Sequence, residues 1–103
     1  MSPEQTLASL KALADETRLK LVDLLLSHDL CVGALARRLG VSEAAVSQHL
    51  RVLRRAGLVK GEKRGYWTHY RVEREALRHL GGQLDKLADK PSCPEGCCLL
   101  PLI

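Results

Sequence analysis

The sequence predicts a mainly α fold with a small β component (α+β), built from five helices and one β-hairpin. Three observations carry this. The 103 residues are 46% hydrophobic yet include no Phe, one Trp and two Tyr, so the core must be Leu, Val and Ala, which favours helices. Apolar residues recur at three- and four-residue spacing in separate stretches along the chain, the mark of helices with one buried face. The aromatic and β-branched residues gather in one place, Tyr66-Trp67-Thr68-His69-Tyr70-Arg71-Val72, with the rough alternation of a strand. A chain this short fits one domain and buries only about two-thirds of its surface. Dimerisation is a common way to gain the missing burial.

The elements follow in order. Ser2-Pro3-Glu4-Gln5 reads as a helix start, with Ser2 as cap, Pro3 at the first position and Gln5 completing a capping box. Leu7, Leu10, Leu13 and Ala14 then give an apolar stripe. Asp15-Glu16-Thr17 is a second start, with Leu19, Val22, Leu25 and Leu26 as the expected buried face. His28 and Asp29 end that helix, and His28 is expected at the surface. Val32, Leu35, Ala36 and Leu39 mark a third helix, which Gly40 can close. Residues 42–57, SEAAVSQHLRVLRRAG, form the fourth. Ser42 caps it, Glu43 suits the positive end of its dipole, and Gly57 sits where a left-handed cap is wanted. Val46, Leu50 and Leu53 make its apolar stripe. A short helix, a tight Gly-containing turn and a Ser-capped helix together make a helix-turn-helix.

Leu58 to Lys63 is too short and broken for a helix, Arg64-Gly65 reads as a turn, and residues 66–72 return as a second strand. A basic hairpin placed directly after the fourth helix is a wing, with Lys63 and Arg64 expected at its tip. A plain solvated hairpin is the alternative. The last helix runs from Glu73 to about Ala88. Leu77, Leu80, Leu84 and Leu87 form a short a/d seam on it. Gly81-Gly82 interrupts the seam at a cost of roughly 1–2 kcal/mol in helix propensity, which suggests close approach of another backbone or a bend. A homodimer is expected, with Leu7, Leu10, Leu77, Leu80, Leu84 and Leu87 in its interface. The alternative is that the seam faces the chain's own core. Residues 1–90 thus form a winged helix-turn-helix and dimerisation domain, and residues 91–103 a cysteine-containing tail ending in apolar residues.

Charge locates the working surface. The net charge is +4, but residues 37–71 carry nine Lys/Arg against two acids, while the rest carries seven against ten. Such concentration is the footprint of a polyanion-binding surface. On the fourth helix, Ser47, Gln48, His49, Arg51, Arg54 and Arg55 present donors and cations with no acid after Glu43. Ser47, Gln48, His49 and Arg51 are expected at base edges. Gln48 can pair bidentately with adenine, and Arg51 can read guanine or hold phosphate. Arg54, Arg55, Lys63 and Arg64 are expected on phosphates. An ordinary solvated helix face is the alternative.

No apolar run approaches the ~20 residues that cross a membrane. The N-terminus lacks a signal-peptide pattern, so a cytoplasmic location is expected. There the four cysteines are read as thiols or metal ligands rather than disulfides. Cys93, Cys97 and Cys98 place three thiols within six residues of a polar tail bent by Pro94 and Gly96. Three thiolates suit As(III), Sb(III) or Pb(II), and a fourth suits Cd(II) or Zn(II). Cys31, at the start of the third helix, is the expected further ligand; a small buried hydrophobe is its alternative role.

From residue 14 to residue 72 the chain resembles the ArsR/SmtB family of bacterial metal-sensing winged-helix repressors. The resemblance lies in ADETRLKLVDLLL, in DLCVGAL, and in VSQHLRVLRRAGLV, which is close to the family's recognition-helix pattern. DLCVGAL resembles the metal box usually written ELCVCDL, but Gly33 replaces its second cysteine and Ala36 stands at a further position sometimes occupied by cysteine. One ligand from this box cannot make the usual arsenic or cadmium site. The last helix offers Glu73, Glu75, His79, Asp85 and Asp89 with a single His, so the family's two-His zinc pattern is not met. The resemblance implies a homodimer that binds an imperfect inverted repeat of double-stranded operator DNA and represses until a metal or metalloid binds. The expected effector is arsenite, with Cd(II), Pb(II) or Zn(II) as alternatives, held by Cys31, Cys93, Cys97 and Cys98. A thiol-redox or persulfide sensor on the same frame is the second reading. An enzyme is not expected: a catalytic cysteine wants a phosphate-cradling loop or a positioned base, and the sequence offers neither.

Overall fold

The computed structural model describes residues 1–93, so Cys97, Cys98 and the apolar end of the tail lie outside the described residues. The elements are α1 (Pro3–Leu13), α2 (Glu16–Ser27), α3 (Val32–Leu39), α4 (Glu43–Arg55), β1 (Val59–Arg64), β2 (Trp67–Val72) and α5 (Arg74–Ala88). Five helices and an antiparallel hairpin in this order make the predicted winged helix-turn-helix. No helix among the described residues is long and apolar enough to cross a membrane.

The helix ends follow from local chemistry. Ser2 Oγ accepts from the Gln5 N–H at 3.1 Å, and the Gln5 side chain accepts from the Ser2 N–H at the same distance. The Asp15 carboxylate accepts from the N–H groups of Thr17 and Arg18 at 2.9 and 3.1 Å. Ser42 Oγ accepts from the Ala45 N–H at 3.1 Å. Each oxygen satisfies donors that have no partner within their helix. α4 stops at Gly57, whose φ of +78° only glycine adopts without strain. There the Gly57 N–H donates to Arg54 O at 2.9 Å and the Leu58 N–H to Leu53 O at 3.0 Å. That bond pair is a Schellman cap, and the buried side chains of Leu53 and Leu58 are its apolar contact.

The core gathers Leu21, Val22 and Leu25 of α2, Leu35 and Ala36 of α3, and Val46, Leu50 and Leu53 of α4, closed by Leu58, Val59 and Val72. Two helix faces differ from expectation. α1 buries Ser9 and Ala12, while Leu7 and Leu10 are 53% and 37% exposed. Small residues let α1 lie close to the body, which turns its leucines outward. On α2 the expected Val22 and Leu25 are buried, but Leu21 joins them and Leu19 is 56% exposed. Leucines at 19, 21, 24, 25 and 26 surround this helix, so spacing does not single out a face.

β1 pairs with β2 from Val59↔Val72 to Arg64↔Trp67. The turn is therefore Gly65-Tyr66, one residue beyond the expected Arg64-Gly65, because Gly65 supplies the positive φ (+64°) that a two-residue connection needs. Arg64 ends β1 rather than forming the tip, and Tyr66 at the tip is almost fully exposed. At the base of the hairpin the Glu73 N–H donates to Leu58 O at 2.8 Å, joining the end of α4 to the start of α5. The α5 seam divides. Leu80 is 5% exposed and Leu77 packs against the core, while Leu84 and Leu87 are 45% and 59% exposed. Leu87 lines an open groove between α1 and α5 with Leu7 and Leu10, and Leu84 is exposed one turn earlier on α5. Among the described residues, no neighbouring element lies within 4 Å of where a Cβ on Gly81 or Gly82 would stand, so none of them makes a close approach there.

Candidate nucleic-acid interface

α3 and α4 are joined through Gly40, whose φ of +67° turns the chain. The N–H groups of Gly40 and Val41 both donate to Ala36 O, at 2.9 and 3.2 Å. Because the stripe of Val46, Leu50 and Leu53 is buried, the opposite face of α4 is presented whole. Ser47, Gln48, Arg51, Arg54 and Arg55 are all exposed, and Glu43 in the first turn is the helix's acid. A cationic, donor-rich helix of this kind suits a groove lined with acceptors and phosphates. Arg37 and Arg38, exposed at the end of α3, extend the charge.

His49 differs from its neighbours. It is half-buried, and its Nδ1 lies 3.2 Å from Arg18 Nη1. Arg18 also donates from Nε to Ala12 O at 2.6 Å and from Nη2 to Lys11 O at 3.4 Å, and its Nη1 stands 3.7 Å from the Asp15 carboxylate. The Arg18 N–H bond to Asp15 is the main influence holding that carboxyl below its usual range. Sequence reading missed Arg18 because its partner on α4 is remote in the chain.

The wing carries Lys63 exposed and Arg64 engaged. Arg64 donates to the Asp29 carboxylate and also stands 3.6 Å from Glu62. His69 Nδ1 meets the other Asp29 oxygen at 2.9 Å. These bonds, first that of Arg64 and then that of His69, hold the Asp29 carboxyl below its ordinary value, and Asp29 in turn pushes the Arg64 guanidinium up. A carboxylate that accepts both contacts requires the proton on His69 Nδ1. Neither Asp29 nor His69 stood out in the sequence.

Cys31 is half-buried at the N-cap of α3, with its side chain free of any capping bond, and its backbone forms an isolated antiparallel bridge with His69. Cys93 is exposed. Among the described residues no group of three or more His, Cys, Asp or Glu is gathered to hold a metal ion. Of the four predicted thiol ligands, two lie among the described residues and they do not make a site by themselves.

A helix-turn-helix with an exposed basic second helix and a basic hairpin defines a winged helix-turn-helix of the DNA-binding class. A family profile described as "Bacterial regulatory protein, arsR family" matches residues 15–60. The chain is 40% identical over 78 residues to the transcriptional activator HlyU of Vibrio cholerae, covering 76% of this chain and 72% of that protein. It is 50% identical over 64 residues to the arsenical resistance operon repressor of Escherichia coli K12, covering 60% of this chain and 54% of that one. Among solved structures, the homodimeric winged helix-turn-helix DNA-binding domain Mb0332 of Mycobacterium bovis superposes with a TM-score of 0.69 at 30% identity, covering 84% of this chain and 80% of that one. The chain belongs to the arsR family of bacterial regulatory proteins.

Proposed function

We propose that this protein is a cytoplasmic, homodimeric transcriptional repressor that binds an imperfect inverted repeat of operator DNA and releases it when a thiophilic metal or metalloid binds. The observation that carries the DNA-binding half is the intact cationic face of α4 beside a basic wing. α4 lies in the major groove, with Ser47, Gln48, His49 and Arg51 at base edges. Arg54, Arg55, Lys63 and Arg64 hold phosphates. Two copies meet through the α1–α5 groove, lined by Leu7, Leu10 and Leu87, and through the neighbouring exposed Leu84; the Mycobacterium bovis neighbour is described as homodimeric.

Support for the effector half comes from the thiols and from relatives. Cys31 stands at the start of the helix-turn-helix with its side chain uncommitted to capping, and a 50% identical relative is an arsenical resistance operon repressor. Arsenite bound by three thiolates drawn from Cys31, Cys93, Cys97 and Cys98 ties the tail to α3. By linkage, an ion that prefers the low-affinity form weakens DNA as much as DNA weakens the ion. A coupling of about 1–3 kcal/mol gives roughly 5- to 150-fold looser binding.

The test is a fluorescence-anisotropy titration of the reduced protein bound to the DNA upstream of its own gene, with As(III), Cd(II), Pb(II) and Zn(II) in turn. Release by As(III) alone is the expected result and points to a three-thiolate site; release by Cd(II) or Pb(II) points to Cys31 as a further ligand, and unchanged release by As(III) in Cys31→Ser removes Cys31 from the site. Release by an oxidant but by none of the ions replaces metal sensing with thiol-redox sensing.

A further inference from the structure

Arg18 lies on α2, away from the exposed face of α4, yet its guanidinium ends against His49 on the recognition helix. Its position is fixed from several sides. Nε donates to Ala12 O at 2.6 Å and Nη2 to Lys11 O at 3.4 Å, both carbonyls of the last turn of α1. The Asp15 carboxylate stands 3.7 Å from Nη1, and the same Nη1 lies 3.2 Å from His49 Nδ1.

A guanidinium donates and cannot accept. The ring nitrogen that faces it must therefore offer a lone pair, and the imidazole proton then sits on Nε2. We infer that Arg18 is a positioning residue for DNA recognition: it fixes His49 in the Nε2–H tautomer, so that α4 presents a hydrogen-bond donor at that position. The inference rests on the reading that α4 enters the major groove. A donor there selects acceptors, namely guanine N7 or O6, adenine N7, thymine O4 or a phosphate oxygen, and rejects the amino groups of adenine and cytosine. The corner between α1 and α2 thus sets the chemical sense of one contact made by α4.

The first test uses the free wild-type protein, uniformly ¹⁵N-labelled. Its long-range ¹H–¹⁵N spectrum is expected to show His49 protonated at Nε2 and bare at Nδ1; a ring protonated at Nδ1 overturns the inference. Arg18→Met is expected to relax the ring into a tautomer mixture. Arg18→Lys, which keeps a donor-only cation, is expected to hold the wild-type form. The second test measures anisotropy on a duplex selected from a random library by the wild-type protein, and on every single base-pair substitution within one half-site. His49→Ala and Arg18→Met are expected to flatten discrimination at the same base pair, by about 5- to 10-fold for one lost hydrogen bond. An equal, sequence-independent loss in both variants supports the donor and places its acceptor on a phosphate. Loss of affinity in Arg18→Met with the His49 tautomer unchanged overturns the inference, since Arg18 is then a structural brace alone. Gln48→Ala is the control. If it weakens binding while His49→Ala does not, this inference alone falls; if neither changes binding, the groove reading falls with it.

Discussion

Asp29 engages two groups of the wing at once, Arg64 of β1 and His69 of β2. Arg64 therefore reaches any phosphate with part of its charge already compensated. Arg64→Ala is expected to weaken all DNA sequences alike and to flatten the dependence of log affinity on log salt by about one unit. Asp29→Asn is expected to do the reverse, raising general affinity and steepening the slope, in the same salt titration. The pH sense follows from the lowered Asp29 carboxyl. A group with a depressed folded-state value contributes its stability above the ordinary carboxylate pKa of about 3.9 and loses it as pH falls through the folded value. The stability difference between wild type and Asp29→Asn is thus expected to be constant near neutrality and to fade in acid below about pH 4, as followed by urea unfolding. Contacts of this kind were not legible in the sequence. Asp29 with Arg64, Asp29 with His69 and Arg18 with His49 all join residues far apart in the chain, and no local pattern marks them.

At the scale of elements, what the sequence made readable is what short-range chemistry decides. Ser2, Asp15 and Ser42 cap their helices, Gly40 and Gly57 close theirs, and α4 buries the expected stripe, because each feature depends on residues within one turn. Leu7 and Leu10 of α1 and Leu19 of α2 differ from expectation for the opposite reason. Which leucine is buried depends on the helix packed against it, and in α1 the small side chains of Ser9 and Ala12 govern that approach. The hairpin turn moved by one residue because the positive φ of Gly65 decides where the strands close. The cap of α4 gives a quantitative expectation. Gly57→Ala forces a side chain into φ +78°, and among the described residues none beyond its chain neighbours lies within 4 Å of the added Cβ. Backbone strain alone is expected to cost about 1–2 kcal/mol, measured as a lowered midpoint of denaturant unfolding with an unchanged slope.

For the whole molecule, the exposed leucines of α1 and α5 are the feature a lone protomer leaves unexplained, and the proposed dimer covers them. Leu87→Glu places a charge in the α1–α5 groove with little effect on the protomer, where Leu87 is 59% exposed. The expected outcome is a fall from dimer to monomer in sedimentation equilibrium, together with loss of tight binding to a two-half-site duplex and retention of weak binding to a single half-site. The proposed effector site was legible only as a collection of thiols. The spacing shows that Cys93, Cys97 and Cys98 are close in sequence, but a site shared with Cys31 would be set by tertiary and subunit geometry that spacing does not encode.

Leu58 has a consequence for how this architecture can vary. Its N–H closes α4 on Leu53 O, its side chain is buried, and its carbonyl accepts from Glu73 at the head of α5. The hairpin is thereby clipped shut at its base, with Val59 and Val72 tucked beneath it. Beyond that clip the wing is moored to the body a second time, where Asp29 engages Arg64 and His69 and Cys31 bridges to His69. The replaceable cartridge is therefore the tip at Gly65-Tyr66, whose length and charge can be exchanged while both moorings keep the frame in place.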